Sequence, residues 1–413
     1  MRRGVIAAVL AALLAAGPVQ AARVEITGTT GNWRLTVDGQ PFRINGASAF
    51  IHLDTFVASG GNTLRTYGAE HARMLDEAQG KGLKVIYGLD LAKPRKGFDY
   101  RDPAAVAAQE AAILAEVARL KGHPALLAWA LGNELDLATA DAAPAFRAVG
   151  RLARAIKAID PDHPTMIVVA EVTADKIAAI NAAAPDVDLL GINAYGGAGS
   201  APARAIAAGW TRPIVLTEFG PLGHWETGMS PWGAPYEPTS AAKAAFYRQS
   251  WNQAVTERPG SVLGGVAFLW DAKQETTATW YGMFLGSGER LASVDAMRTI
   301  WTGQPVPDPA PVIERLDIGG PRFAPGAQFE ATAVMGQPAP TRWRWELREE
   351  SRDRKTGGDP EAEPPLVPNA IGGGTGPRVT VTAPRQPGAY RLFVYGYDGK
   401  GAAATANLPL LVE

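Results

Sequence analysis

Between Phe42 and about Gly303, short apolar runs rich in β-formers alternate with alanine-rich amphipathic stretches. Eight such runs stand out: "FRINGASAF" from Phe42, "NTLRTYG" from Asn62, "KVIYGLDL" from Lys84, "LLAWALGNE" from Leu126, "TMIVVAE" from Thr165, "DLLGINAY" from Asp188, "PIVLTEFG" from Pro213 and "GGVAFLWD" from Gly264. The stretches between them read as helices. The clearest is "DPAAVAAQEAAILAEVARLKGHP", with Asp102 placed to cap a helix whose first position is Pro103. Near-continuous apolar strands separated by helices predict a parallel sheet covered on its outer face. Eight of them in this length predict a (β/α)8 TIM barrel. The competing reading, an open doubly wound sheet, lacks the glycine-rich phosphate loop expected after its first strand. Ahead of the barrel, "VEITGTTGNWRLTVDGQPFRING" predicts a β-hairpin turning at Asp38 and Gly39, suited to plug the barrel from below.

The pattern changes after the proline-rich stretch "GQPVPDPAP". In "TRWRWELRE", Trp343, Trp345 and Leu347 alternate with Arg342, Arg344, Glu346 and Arg348, and "GAYRLFVYGYDG" alternates in the same way. This period of two predicts a small all-β, immunoglobulin-like sandwich. Its Gly/Pro-rich insertion, "SRDRKTGGDPEAEPPLVPNAIGGGTGP", carries few apolar residues and is expected to form a mobile loop. The expected division is 1–21 signal segment, 22–303 barrel, 304–311 linker and 312–413 sandwich.

Composition adds limits. The 413 residues include 40 basic and 41 acidic side chains, a balance that gives no field to draw nucleic acid or a membrane surface. The opening "MRRGVIAAVLAALLAAGPVQAAR" has an arginine pair, an apolar stretch and small residues at a cleavage site, the layout of a Sec signal peptide. A mature chain starting near Ala22 in the periplasm or outside the cell is expected, with no stable membrane insertion after cleavage. The absence of cysteine excludes disulfides, thiolate metal sites and a cysteine nucleophile.

A parallel barrel gathers its chemistry at the carboxyl ends of its strands, so polar residues that end apolar runs point to a site. Asn133 and Glu134 end the fourth run and Glu218 ends the seventh. Two carboxyl groups facing each other across a pocket are the equipment of glycoside hydrolysis, one protonating the leaving oxygen while the other attacks or activates water. No HExxH or other metal pattern is present, and this chemistry calls for no cofactor.

"GNE" on strand four and "TEFG" on strand seven resemble the signatures of clan A retaining glycoside hydrolases, and "HPALLAWALGNE" with "VLTEFGP" is similar to the catalytic barrel of family 2. The resemblance implies Glu134 as general acid/base, Glu218 as nucleophile and Asn133 as donor to the sugar 2-hydroxyl. It also implies Arg65 of "NTLRTYG" as the cation steadying the nucleophile, Tyr195 of "GINAY" as its hydrogen-bond partner, and Trp270 of "FLW" as the floor under the reacting sugar. An arginine and a tyrosine beside Glu218 would favour its charged form, whereas the acid must stay protonated.

The long loops after strands seven and eight carry Trp225, Trp232, Tyr236, Trp280 and Tyr281, rings suited to stack on sugars or to pin the loops. Asp90 and Glu171 end strands three and five and are candidates for binding hydroxyls. The reading is a secreted β-glycosidase acting on a β-linked glycan, with no nucleic-acid partner. A transglycosylase using the same glutamates and a non-catalytic carbohydrate-binding envelope protein are the alternatives. All candidate catalytic groups lie before the linker, so the barrel alone is expected to suffice for activity.

Overall fold

The computed structural model describes residues 21–372 and 374–413. The expected signal segment thus falls almost wholly outside the described residues. The chain opens with three antiparallel strands, β1 (Val24–Thr27), β2 (Arg34–Val37) and β3 (Gln40–Pro41). The turn between β2 and β3 is made by Asp38 and Gly39, at φ 52° and 76°, the two successive positive values that match a two-residue turn to strand twist. Ala22, Val24, Leu35 and Val37 pack into one cluster with Ile44, Ile86, Met166, Val215 and Val266 from the barrel strands. The hairpin is therefore the predicted plug.

Eight parallel strands close the barrel: β4 (Ile44–Ala47), β5 (Thr63–Arg65), β6 (Lys84–Leu89), β7 (Leu126–Leu131), β8 (Thr165–Ala170), β9 (Leu189–Asn193), β10 (Ile214–Phe219) and β11 (Val262–Ala267). Each falls within or against one of the eight apolar runs. The helices α1 (Leu53–Ala58), α2 (Met74–Gly80), α3 (Pro103–Leu120), α4 (Ala143–Ile159), α5 (Ala174–Ala183), α6 (Ala201–Ala207), α7 (Ser240–Trp251) and α8 (Ala292–Thr302) intervene between successive strands or follow the last. Asp102 caps α3 as expected, accepting from the amides of Ala104 and Ala105 at 2.9 and 3.2 Å; such a cap is worth about 1 kcal/mol.

The remaining strands are β12 (Ile313–Asp317), β13 (Arg322–Phe323), β14 (Gln328–Met335), β15 (Arg342–Glu349), β16 (Ile371–Gly372), β17 (Arg378–Thr382), β18 (Gly388–Tyr397) and β19 (Ala403–Val412). They form two four-stranded sheets, β12-β14-β17-β16 and β13-β19-β18-β15, around a core that includes Ile313, Trp345, Leu347, Val381, Leu392 and Leu410. The alternation in β15 and β18 was legible in sequence; on β15 the second face leaves Arg342 and Arg344 exposed, but on β18 it is not turned to water. Phe393, Tyr395 and Tyr397 pack against Leu285 and Leu291 beyond β11, so this face is covered.

Beneath these rings runs a buried polar seam. The Arg391 guanidinium, 1% exposed, donates to Glu350, to Asn407 at 2.7 Å and to the carbonyl of Pro235 at 2.8 Å. Asn407 in turn donates to Glu237 at 2.7 Å, which also receives Lys243, Thr277 and Thr279. The insertion expected to be mobile is seated on the barrel as well: Asp359 accepts two hydrogen bonds from Arg95, at 3.0 and 3.1 Å. Charge pairing holds this segment where apolar burial could not, and low hydrophobicity alone gave no sign of it.

Candidate active site

At the carboxyl ends of the strands, Glu218 on β10 is buried and held by three donors. Arg65 at the end of β5 donates to Oε1 at 2.9 Å, Tyr67 donates to the same oxygen at 3.0 Å, and Tyr195 donates to Oε2 at 2.8 Å. Burial and the nearby Glu218 charge both push the tyrosine hydroxyls of Tyr67 and Tyr195 far above their ordinary pKa, burial most, so each stays protonated and able to donate. Arg65 is 1% exposed and its guanidinium also stacks over the Tyr67 ring at 4.4 Å. Such a fork of fixed donors is matched to a carboxylate.

Glu134 is set differently. The chain leaves β7 through Gly132 at φ 74°, and Glu134 itself adopts φ 54°. A left-handed non-glycine residue stores about 1–3 kcal/mol of strain and is found where surrounding contacts enforce it. Here it breaks the strand alternation, so that neighbouring side chains at Asn133 and Glu134 both reach the site. The Glu134 amide donates to the Val168 carbonyl at 3.1 Å, anchoring the turn on β8. Among the described residues its carboxyl has one side-chain donor, Asn193 Nδ2 at 2.8 Å. Burial, then the charge of Glu218, raise its pKa to about 7, against the lowering effect of Asn193.

An amide relay joins the two carboxyl groups. Asn133 Oδ1 accepts from Arg65 Nη2 at 2.6 Å and from Asn193 Nδ2 at 3.0 Å. With its oxygen doubly occupied, the amide of Asn133 keeps its NH2 group as a donor. Asn193 Oδ1 accepts from Thr217 at 2.8 Å and from Arg65 at 3.3 Å.

Arg65, Asn133, Glu134, Tyr195 and Glu218 are thus brought together. Trp225 joins them at the rim: it is 57% exposed, and its ring stands edge-on to Tyr195 at 5.9 Å. The other tryptophans do not reach the pocket. Trp270 is fully buried, packed on Phe56, Phe284 and Trp301 of the outer helices and the loop beyond β11. Two residues earlier, Phe268 faces the site instead, 6.1 Å from Tyr195. Trp280 is fully buried and donates to the Leu222 carbonyl at 2.9 Å, so it pins the two long loops together. Trp232 is half-buried beneath Arg322 of β13, at the seam with the sandwich. Glu171 is tied to Arg204 at 2.6 Å, while Asp90 is exposed.

Tyr67 and Asn193 were not singled out in sequence, yet a signal was there. Side chains two apart on a strand share a face, so Tyr67 goes with Arg65, and Asn193 with Tyr195. No group of three or more His, Asp or Glu side chains that could hold a metal occurs among the described residues, and none of the described helices is long and apolar enough to cross a membrane.

No family model matches the sequence, and no curated protein matches it significantly. Solved structures do. A Bifidobacterium dentium β-glucuronidase complexed with coumarin-3-O-glucuronide aligns at TM-score 0.53 and 17% identity over 69% of this chain and 49% of its own. A Bacteroides uniformis β-glucuronidase 2 aligns at TM-score 0.51 and 12% identity over 95% of this chain and 48% of its own. A putative β-galactosidase from Bacteroides fragilis aligns at TM-score 0.51 and 13% identity over 94% and 57%. The chain therefore spans about half the length of these structures, and at such identities the likeness is one of fold.

Proposed function

We propose that the protein is a retaining β-glycosidase in which Glu218 is the nucleophile and Glu134 the general acid/base, acting on a β-linked glycan after export by the N-terminal segment. One observation carries this reading: the two facing carboxyl groups have opposite environments. Glu218 meets a guanidinium and two phenol donors, while Glu134 has its pKa raised to about 7. That division lets one group attack while the other still holds a proton.

In the first step a Glu218 oxygen attacks the anomeric carbon as the bond to the leaving oxygen breaks, and that oxygen takes the proton of Glu134. The product is a glycosyl ester on Glu218. Water then gives its proton to the Glu134 carboxylate and attacks the same carbon, which frees Glu218. Charge leaves Glu218 and returns to it during this cycle. Arg65, Tyr67 and Tyr195 stay bonded to the same carboxyl throughout, so little reorganisation is needed. The free NH2 of Asn133 serves the 2-hydroxyl of the sugar, and Phe268 with Trp225 offers apolar surface to the ring faces. The β-glycosidase names of the similar structures, one of them holding a glucuronide, support the β configuration.

The test is stereochemical. Glu218→Gly, with azide and an activated aryl β-glycoside, should yield a glycosyl azide of inverted configuration. Glu134→Ala should yield the retained azide, because its intermediate still forms when the leaving group needs no proton. Inversion by the unmodified enzyme, followed by NMR, overturns the assignment of Glu218.

A further inference from the structure

The insertion between β15 and β16 belongs to the sandwich by sequence but lies on the barrel. At the middle of residues 354–361 Asp359 makes its paired bonds to Arg95 and a further contact to Lys96 at 3.0 Å, both in the loop after β6. Gly357 is packed against Leu137 in the loop after β7, so closely that a Cβ there would stand 2.8 Å from the leucine. On the other side, the Gly358 carbonyl accepts from Lys273 at 3.0 Å, Glu361 accepts from the amide of Thr276 at 2.6 Å, and Arg354 donates to the Gly233 carbonyl at 2.9 Å. Lys273 and Thr276 follow β11, and Gly233 follows β10.

In the closed ring, β6 lies four places from β10, and β7 four places from β11. A segment whose two ends are tied to the loops after β10 and β11, and whose tip is tied to those after β6 and β7, reaches across the mouth along a diameter. It does so above the site: β7 leads into Glu134, β10 carries Glu218, and Lys273, which holds Gly358, sits 5.3 Å over the Phe268 ring. Lys93, half-buried in the same loop as Arg95, has its pKa lowered first by burial, then by the Arg95 charge, while Glu134, Asp359 and Glu218 oppose that lowering. The strap and the two carboxyl groups thus share one electrostatic environment.

We infer that residues 354–361 of the C-terminal sandwich form a fixed strap across the active-site mouth, so that a glycan enters by a free chain end and the interior of a long chain is excluded. This rests on the glycosidase reading above and adds to it the form in which the substrate is accepted. The sandwich becomes part of the site, supplying selection by chain end. The clamp is rigid because Arg95 and Asp359 meet through two parallel bonds, a geometry that fixes orientation as well as distance.

The experiment compares the full chain with a variant in which residues 354–361 are replaced by a Gly/Ser tract of equal length. Two substrates are used: the aryl β-glycoside that the unmodified enzyme cleaves fastest, and the soluble polysaccharide of the same β-linked sugar with both ends chemically blocked. The unmodified enzyme should cleave the first and leave the viscosity of the second unchanged. In the strap variant the ratio of polysaccharide to aryl-glycoside cleavage should rise by at least about tenfold. An unchanged ratio in a variant whose melting curve shows it folded overturns the proposal, as does interior cleavage by the unmodified enzyme. Arg95→Ala with Lys96→Ala frees the tip of the strap without touching the sandwich, and should raise the same ratio if the replacement unfolds. Failure of the glycosidase reading is seen separately, as aryl-glycoside turnover that survives Glu218→Gln.

Discussion

The two ends of the barrel are closed by opposite means. At the amino end the hairpin contributes Val24, Leu35 and Val37 to an apolar cluster with Ile44, Met166 and Val266. At the carboxyl end the strap is held by Asp359 on Arg95 and Glu361 on Thr276, and the sandwich beneath it by Arg391 and Glu237. Apolar closure is non-directional and excludes water completely. Polar closure is directional and fixes which atoms meet. One end is sealed by apolar packing, and the other is held by paired polar groups around the two glutamates.

The sharpest break in this comparison is chemical. Glu218→Gln keeps the shape of the upper end but removes the attacking charge, and kcat should fall about a thousandfold or more. Steady-state kinetics with an aryl glycoside checks this, and turnover within tenfold of the unmodified enzyme contradicts the nucleophile role.

Breaking each closure should then reveal its kind. Arg391→Met removes the nearer cation from the buried Glu350 carboxylate, leaving Arg354 at 3.7 Å, and should cost about 3 kcal/mol, with a denaturation midpoint that shifts for sandwich and barrel together because the seam joins them. Leu35→Ala opens a cavity in the plug and should cost about 2–4 kcal/mol, with kcat nearly untouched, since the hairpin lies at the far end from the carboxyl groups. Urea denaturation measures both losses, and a loss below about 1 kcal/mol in either variant contradicts its part in closing that end.

The pH profile tests the polar end alone. Glu134, with a pKa of about 7 against an ordinary 4.5, should give kcat/KM a basic limb near 7 as the proton needed for leaving-group departure is lost. The same shift has a stability consequence. A carboxyl whose folded pKa lies above its unfolded value contributes stability fully below the unfolded pKa and loses that contribution as pH rises through the folded one. Thermal melting of the unmodified protein should fall between about pH 5 and 8 more than that of Glu134→Gln. Parallel curves contradict the raised pKa.

The smallest effect belongs to the rim. Trp225→Ala, exposed and in contact with Tyr195, should alter stability by less than about 0.5 kcal/mol but raise KM several-fold for an aryl glycoside. An unchanged KM assigns the ring to loop packing.

By itself the sequence determined the barrel, the hairpin plug, the helix cap at Asp102 and the sandwich, because each is written in local periodicity: eight apolar runs, one Asp-Gly turn, one alternating face. It also pointed to Asn133, Glu134 and Glu218, since residues that end barrel strands converge wherever the loops later run, while Arg65 and Tyr195 were reached through the likeness of their motifs. Tyr67 and Asn193 were within reach of the same two-residue parity. Tertiary structure alone decided which tryptophan side chains reach the pocket. The chain direction after β11 is set by packing of Trp270 on Trp301 and Phe56, contacts with no trace in spacing, and it leaves Phe268 facing the site. The strap was equally hidden. A run of glycines, prolines and charges reads as unstructured until its partners are known, and Asp359 and Arg95 are 264 residues apart. Hydrophobic burial leaves its mark on each segment separately, whereas a charge pair that distant exists only once the fold has brought its members together.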